Sequence, residues 1–270
     1  MGDALLQFAL YLGQLVLLTL GTVVLCGLSV RFCANAFSRL LGGGAERIFD
    51  LTAAIGTPIH ELGHALMCPL FGHKIKRIRL WSPTAQGGVY GFVEHSYSKR
   101  SAWARLGNLF IGVGPIFSGL GVVTLALCLC FPDAWREYLA ASRSFAATGG
   151  DVKALLESIV WLLTSVIRGV GDVWWRALLG IVVILSVALH VSLSWADVKS
   201  SLNAIPVYLI LLLLFAGVTT AFGINADVIA ALKLFNLRMA ALFCTVIAFA
   251  AVWVAIALLY RTWRMVKEWF

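Results

Sequence analysis

Charge is what this chain has least of. Asp, Glu, Lys and Arg make up 13% of its 270 residues, about half the ~25% usual in a soluble domain. There are six prolines, and no polar or low-complexity stretch is long enough for a separate soluble domain or a disordered tail. These absences exclude disorder, a collagen-like repeat and a coiled coil. There is also no cysteine framework. Five of the six cysteines (Cys26, Cys68, Cys128, Cys130, Cys244) fall inside apolar runs and Cys33 lies just outside one, so they read as small buried hydrophobes rather than disulfide partners. In place of charge the chain has apolar surface: 61% of residues are hydrophobic and the mean hydropathy is +0.92. A soluble protein of this size cannot keep so much apolar surface from water. The composition is that of an integral membrane protein.

The net charge of +8 would suggest a nucleic-acid partner in a soluble protein. Here the basic residues flank apolar runs, where they act as topology signals and meet anionic lipid. No nucleic-acid partner is expected.

A helix needs about 20 mostly apolar residues to cross a bilayer. Six runs qualify, at about 5–30, 51–71, 106–131, 173–194, 203–223 and 238–260. The first is too long for a signal-peptide core, and its first basic residue, Arg31, comes after it. Between the second and third runs, residues 72–105 are rich in Lys and Arg. They contain two strand-like stretches, Ile75–Trp81 and Val89–Val93, separated by Ser82-Pro83 and Gly87-Gly88 turn signals. The connection 132–172 contains a 14-residue apolar stretch, Ala154–Ile167, too short to span and suited to an interfacial helix. The expected fold is therefore an all-α integral membrane protein, a single polytopic domain over 1–270. It has about six transmembrane helices and a small membrane-surface β-hairpin after the second.

With six spans, the 72–105 loop, the 195–202 turn and both termini share one face. That face carries 11 of the 21 basic residues. The dense basic loop and basic C-terminal tail point to it as cytoplasmic. Eight of the ten tryptophans fall at or outside the span ends, as in an aromatic belt. Compactness and the lack of an organelle signal point to a bacterial plasma membrane.

The chemistry centres on His60-Glu61-Leu62-Gly63-His64. Positions four apart share one helix face, so His60 and His64 can bind one zinc ion through neutral imidazoles. Glu61 beside them is placed to take a proton from a metal-bound water. Two packed histidines and a stray glutamate would be the plain alternative, but ionisable groups inside an apolar span are costly and are functional by default. Zinc needs a third protein ligand. Asp172 and Asp227 fall on the opposite membrane face, and His73 and His95 belong to the hairpin loop. Asp197 remains as the candidate third ligand, with His190 as the alternative or as a supporting partner. The two are seven residues apart and share a face if the fourth span continues as one helix through Ser194. Asp197 can also be read as a simple helix-end residue of the 195–202 turn.

The HExxH motif in an apolar helix, the strand-forming loop after it, and a later apolar helix bearing Gly114-Pro115 resemble the site-2 protease (M50-type) family of intramembrane zinc metalloproteases. The resemblance covers mainly residues 51–120. It implies zinc held by His60, His64 and a distal aspartate, with Glu61 as general base. The family's distal motif is an Asn-x-x-Pro stretch followed by Asp-Gly. This chain has Asn203-Ala-Ile-Pro206 with no Asp-Gly after it, and Asp197 precedes it, so the resemblance is to a divergent member. The expected substrate is a transmembrane or membrane-proximal segment of a partner protein. A membrane helix has every amide satisfied and must locally unwind to be cut. The hairpin, through Gly88, Val89, Tyr90 and Gly91, offers a strand edge for the unwound segment. Gly56, Pro58 and Gly63 either make room for water near the site or let helices pack closely, and Gly112, Gly114, Gly119 and Gly121 suit close packing of the third helix. A competing function is a non-proteolytic zinc-binding scaffold or transporter component. The intact Glu61 argues against it, since a metal holder needs no glutamate there.

Overall fold

The structure, a computed structural model, describes residues 2–83, 89–169 and 173–267. Helices α1 (Gly2–Val16) and α2 (Thr22–Leu41) are joined by a π turn, Leu17–Gly21, and form one 40-residue apolar rod. The remaining helices are α3 (Gly44–Leu70), α4 (Ala102–Cys130), α5 (Pro132–Ala147), α6 (Val152–Arg168), α7 (Trp174–His190), α8 (Trp195–Leu202), α9 (Ile205–Ala221) and α10 (Asn225–Lys267). Between α3 and α4 lies a two-stranded antiparallel sheet, β1 (Lys74–Arg79) and β2 (Phe92–Ser96).

The largest core cluster gathers Val30 of α2, Ile116, Val123 and Leu127 of α4, Tyr138 of α5, Leu162 of α6, Ile184 and Val187 of α7, and Phe243 of α10. Polar side chains buried among the helices find main-chain partners. Tyr138 Oη donates to the carbonyl of Ala241 at 2.5 Å, and Asn236 of α10 donates to Leu18 within the π turn at 2.6 Å. Helix ends are capped where the sequence supplies short polar side chains. Ser101 accepts from the Ala104 amide, and Asp151 from those of Lys153 and Ala154, each worth about 1 kcal/mol. The outer surface stays apolar, with Leu51, Phe222, Phe32 and Ile167 all more than two-thirds exposed, as expected of side chains that face lipid rather than water.

The all-helical membrane-type architecture agrees with the sequence reading, but six spans are not confirmed. Among the described residues, three helices are long and apolar enough to cross a membrane: the α1–α2 rod, α4 and α10. The α7–α8 pair makes a fourth if it forms one broken span. The other two expected spans fall short for visible reasons. Helix α3 is not among the qualifying helices because His60, Glu61 and His64 interrupt its apolar stretch. Helix α9 is apolar but only 17 residues long, and Pro206 opens it at the first turn, where a missing N–H costs nothing. The expected interfacial segment 154–167 lies within α6.

The strands are shifted from expectation. The first ends at Arg79 rather than Trp81, and the second starts at Phe92 rather than Val89. Polar residues extend the second strand, where Glu94 stands opposite Arg77 in the ladder and pairs with it at 2.6 Å. Cross-strand pairing outweighed the apolar pattern. A bulge between Ile75 and Arg77 breaks the register. All six cysteines are free, as expected, but Cys128 is exposed rather than buried, on the outer side of α4.

A candidate metal centre

The site is assembled by close helix crossings that glycines permit. A Cβ on Gly63 would lie 2.6 Å from Pro115 Cα, and one on Gly114 would lie 2.4 Å from the Gly63 carbonyl oxygen. Backbones therefore touch where α3 crosses α4. A Cβ on Gly112 would lie 2.0 Å from Ser201 Oγ, which brings α8 against α4, and one on Gly119 would strike Val191 at 2.2 Å. Gly56 admits the His190 side chain in the same way. The glycines expected to matter for packing do so, except Gly121, which has open space around it.

Within this frame His60, His64 and Asp197 meet, each offering one ligand atom within 4.8 Å of the others. His60 Nε2 and His64 Nε2 are 3.2 Å apart. His64 Nε2 lies 3.2 Å from Asp197 Oδ1, and His60 Nε2 3.8 Å from Asp197 Oδ2. Donors on one tetrahedral zinc at ~2.0–2.1 Å stand about 3.3 Å apart, so the spacing fits such an ion.

The second nitrogen of each ring explains the convergence. His60 Nδ1 donates to the His190 carbonyl at 3.0 Å, and His64 Nδ1 donates to the Ile111 carbonyl at 2.7 Å. A carbonyl only accepts, so both Nδ1 atoms carry hydrogen, and each neutral ring turns an Nε2 lone pair toward its neighbour. With both rings neutral, two lone pairs and a carboxylate face each other, which is the donor set a cation completes.

Both acceptor carbonyls are available because a helix is interrupted. Pro115 has no N–H, so Ile111, four residues earlier, loses its helical donor and is left for His64. His190 is the last residue of α7, which breaks before α8 and bends by 55°. Irregular backbone at membrane depth must find partners elsewhere. Here Arg31 donates to the Leu193 carbonyl at 2.9 Å, and Asp197 Oδ2 accepts from the Ser194 amide at 2.8 Å. Ser194 Oγ in turn accepts from the Asp197 amide at 3.1 Å, completing a capping box. Asp197 is thus both a helix-start residue and a member of the triad, with Oδ2 accepting from Ser194 and Oδ1 nearest His64.

The break overturns the expectation that the fourth span runs unbroken through Ser194 and puts His190 and Asp197 on one helix face. The two lie on different helices. His190 Nε2 is 2.9 Å from Thr52 Oγ1 and its ring packs edge-on against Phe49. Its side chain is outside the converging group, and its main-chain carbonyl orients His60.

A cavity of about 630 Å³ opens on the triad, within the usual range for a ligand site. Glu61, buried at 8% exposure, lines it beside His60 and His64, and the facing wall is the hairpin: Val89, Tyr90, Gly91, Phe92, Val93 and His95. Of the expected substrate-contacting residues, Val89, Tyr90 and Gly91 line the cavity, and Gly88 lies outside the described residues. Gly91 is held tightly, since a Cβ there would lie 2.7 Å from the Leu80 carbonyl and 2.8 Å from Glu61 Cγ. Tyr90 Oη donates to Asp50 of α3, fastening the loop to the metal-site helix. Desolvation, then that bond and the negative charges of Asp50 and Glu46, push the Tyr90 hydroxyl up to about 12. Asp227, expected on the opposite side, is in the first turn of α10, and Asp172 lies outside the described residues. The participants that sequence reasoning missed are main-chain groups, at Ile111, His190 and Ser194. Pro115 was the one available signal for the first of them.

Comparison with known protein families, curated proteins and solved structures finds no match.

Proposed function

We propose that this chain is an intramembrane zinc metalloprotease that hydrolyses a peptide bond in or near a transmembrane segment of a partner protein. The observation that carries the reading is the joint presence, on one cavity, of two Nε2 lone pairs, the Asp197 carboxylate and Glu61. A purely structural histidine pair needs neither the fixed tautomers nor a glutamate on the cavity wall. The resemblance of His60–His64 and its surroundings to the site-2 protease family points the same way.

His60 and His64 would hold the ion through Nε2, and Asp197 through its carboxylate. When bound, the ion supplies a Lewis acid and a water whose pKa falls to about 7. Glu61 accepts a proton from the attacking water and returns it to the leaving amine nitrogen. Thr57 and Ser200 also line the cavity and give it polar surface for water. Strand β2 is bonded to β1 along one edge, which leaves its other edge for an unwound substrate segment. Such a segment has unpaired amides that need a strand partner.

The test is Glu61→Gln against wild type, both purified in detergent. The expected result is zinc bound in both, with cleavage of a tagged single-helix reporter lost only in the variant. Zinc bound in both and cleavage in neither would favour a scaffold.

A further inference from the structure

The hairpin wall of the cavity carries an imidazole that the reaction above does not use. Glu94 turns outward to Arg77 at 2.6 Å, whereas Val93 and His95 line the cavity. Behind His95 stands His73, buried at 4% exposure and stacked on Tyr97. His73 Nε2 lies 2.7 Å from the Ala104 carbonyl, and its Nδ1 lies 2.9 Å from His95 Nδ1.

This chain of contacts has one neutral solution. The Ala104 carbonyl only accepts, so His73 Nε2 carries hydrogen and His73 Nδ1 is a lone pair. His95 Nδ1 must then be the donor between the rings, which leaves His95 Nε2 as a bare acceptor. Burial, and after it His73 and His64 nearby, also hold the His95 imidazole below the usual histidine range. His95 Nε2 has no protein partner among the described residues, and His95 is one of the residues that line the cavity.

We infer that His95 is a substrate-contacting residue whose Nε2 accepts a hydrogen bond from a main-chain N–H of the peptide segment unwound in the cavity, in the tautomer imposed by His73 and the Ala104 carbonyl. Unwinding exposes amide N–H groups that membrane helices otherwise satisfy internally, and a fixed acceptor on the wall facing the triad would hold one of them. His73 is a positioning residue in this scheme. The inference rests on the protease reading.

The probe is a reporter of one apolar helix, tagged at both ends, with a helix-weakening Gly-Pro pair at its centre. His95→Phe is expected to raise KM about three- to tenfold, the worth of one hydrogen bond, with kcat and zinc content unchanged. His95→Gln, which keeps an acceptor, recovers part of the loss. His73→Phe, which never touches the cavity, raises KM in the same direction by releasing the tautomer. Nitrogen NMR of histidine-labelled protein, with the His95 signals assigned by their loss in His95→Phe, is expected to show Nδ1 protonated and Nε2 bare. A protonated Nε2, or a wild-type KM in His95→Phe, overturns the inference while wild-type cleavage leaves the protease reading standing. A zinc-loaded wild type that leaves the reporter intact brings down both.

Discussion

Pro115→Ala separates the metal site from the stability of the fold. In the wild-type chain the Ile111 carbonyl lacks a helical donor because residue 115 has no N–H, and His64 Nδ1 takes that acceptor at 2.7 Å. Alanine restores the N–H, which then competes for the same carbonyl from within α4. Proline in a helix interior costs up to ~3 kcal/mol, so the helix itself gains. The ring of His64 loses part of its anchor, and disturbing such an outer partner typically weakens metal binding about 10- to 100-fold, or about 1.4 kcal/mol per tenfold. The assay is zinc affinity by competition with a chelator, beside the melting temperature of the metal-free protein. The expected result is weaker zinc binding with an equal or higher Tm. Unchanged affinity would refute the role given to the freed carbonyl. A Tm that falls together with affinity would show ordinary damage to packing instead.

Gly63→Ala should behave oppositely. Its Cβ would meet Pro115 backbone atoms at 2.6 Å, which cannot swing away, and overpacking of this kind costs about 1–3 kcal/mol. The metal-free Tm and the zinc affinity should fall together, because the α3–α4 crossing that brings His64 to Ile111 widens; a variant as stable as wild type would contradict the backbone contact. Tyr90 should titrate at about 12 in an ultraviolet titration. Its folded pKa lies above the ordinary 10.0, so the folded state holds this proton longer than the unfolded one, and stability contributed by the Tyr90–Asp50 contact falls as pH rises from about 10 to about 12. Asp50→Asn should move the titration part of the way down toward the ordinary value, and no movement would mean that Asp50 contributes nothing to the shift.

What the sequence revealed about this site was what lies on one helix. His60, Glu61 and His64 are set by the 3.6-residue period alone, and the composition announces apolar helices. Asp197 was reachable because few acids are available to an apolar chain, but the premise of a continuous fourth span was wrong. Val191-Ser-Leu-Ser194 contains neither proline nor glycine, so nothing local signals a break. The break is held by Arg31, His60 and Asp197, which satisfy its backbone from far along the chain. The hairpin was legible as two strands but not in register, because the register is a matter of the whole cross-strand ladder, in which Arg77 stands opposite Glu94, and not of the apolar pattern within either strand. The count of six spans is not reproduced at α3, where His60, Glu61 and His64 lower the hydropathy of an otherwise apolar helix. His73 and His95 were set aside as loop residues because their mutual contact depends on the strand pairing.

The most direct test is the zinc content of detergent-purified wild type, His64→Ala and Asp197→Ala. One zinc per chain in wild type, lost in both variants while they remain folded, is the result expected from the converging triad. Folded wild type without zinc would contradict the account at its centre, and zinc retained in Asp197→Ala would remove Asp197 from the ligand set.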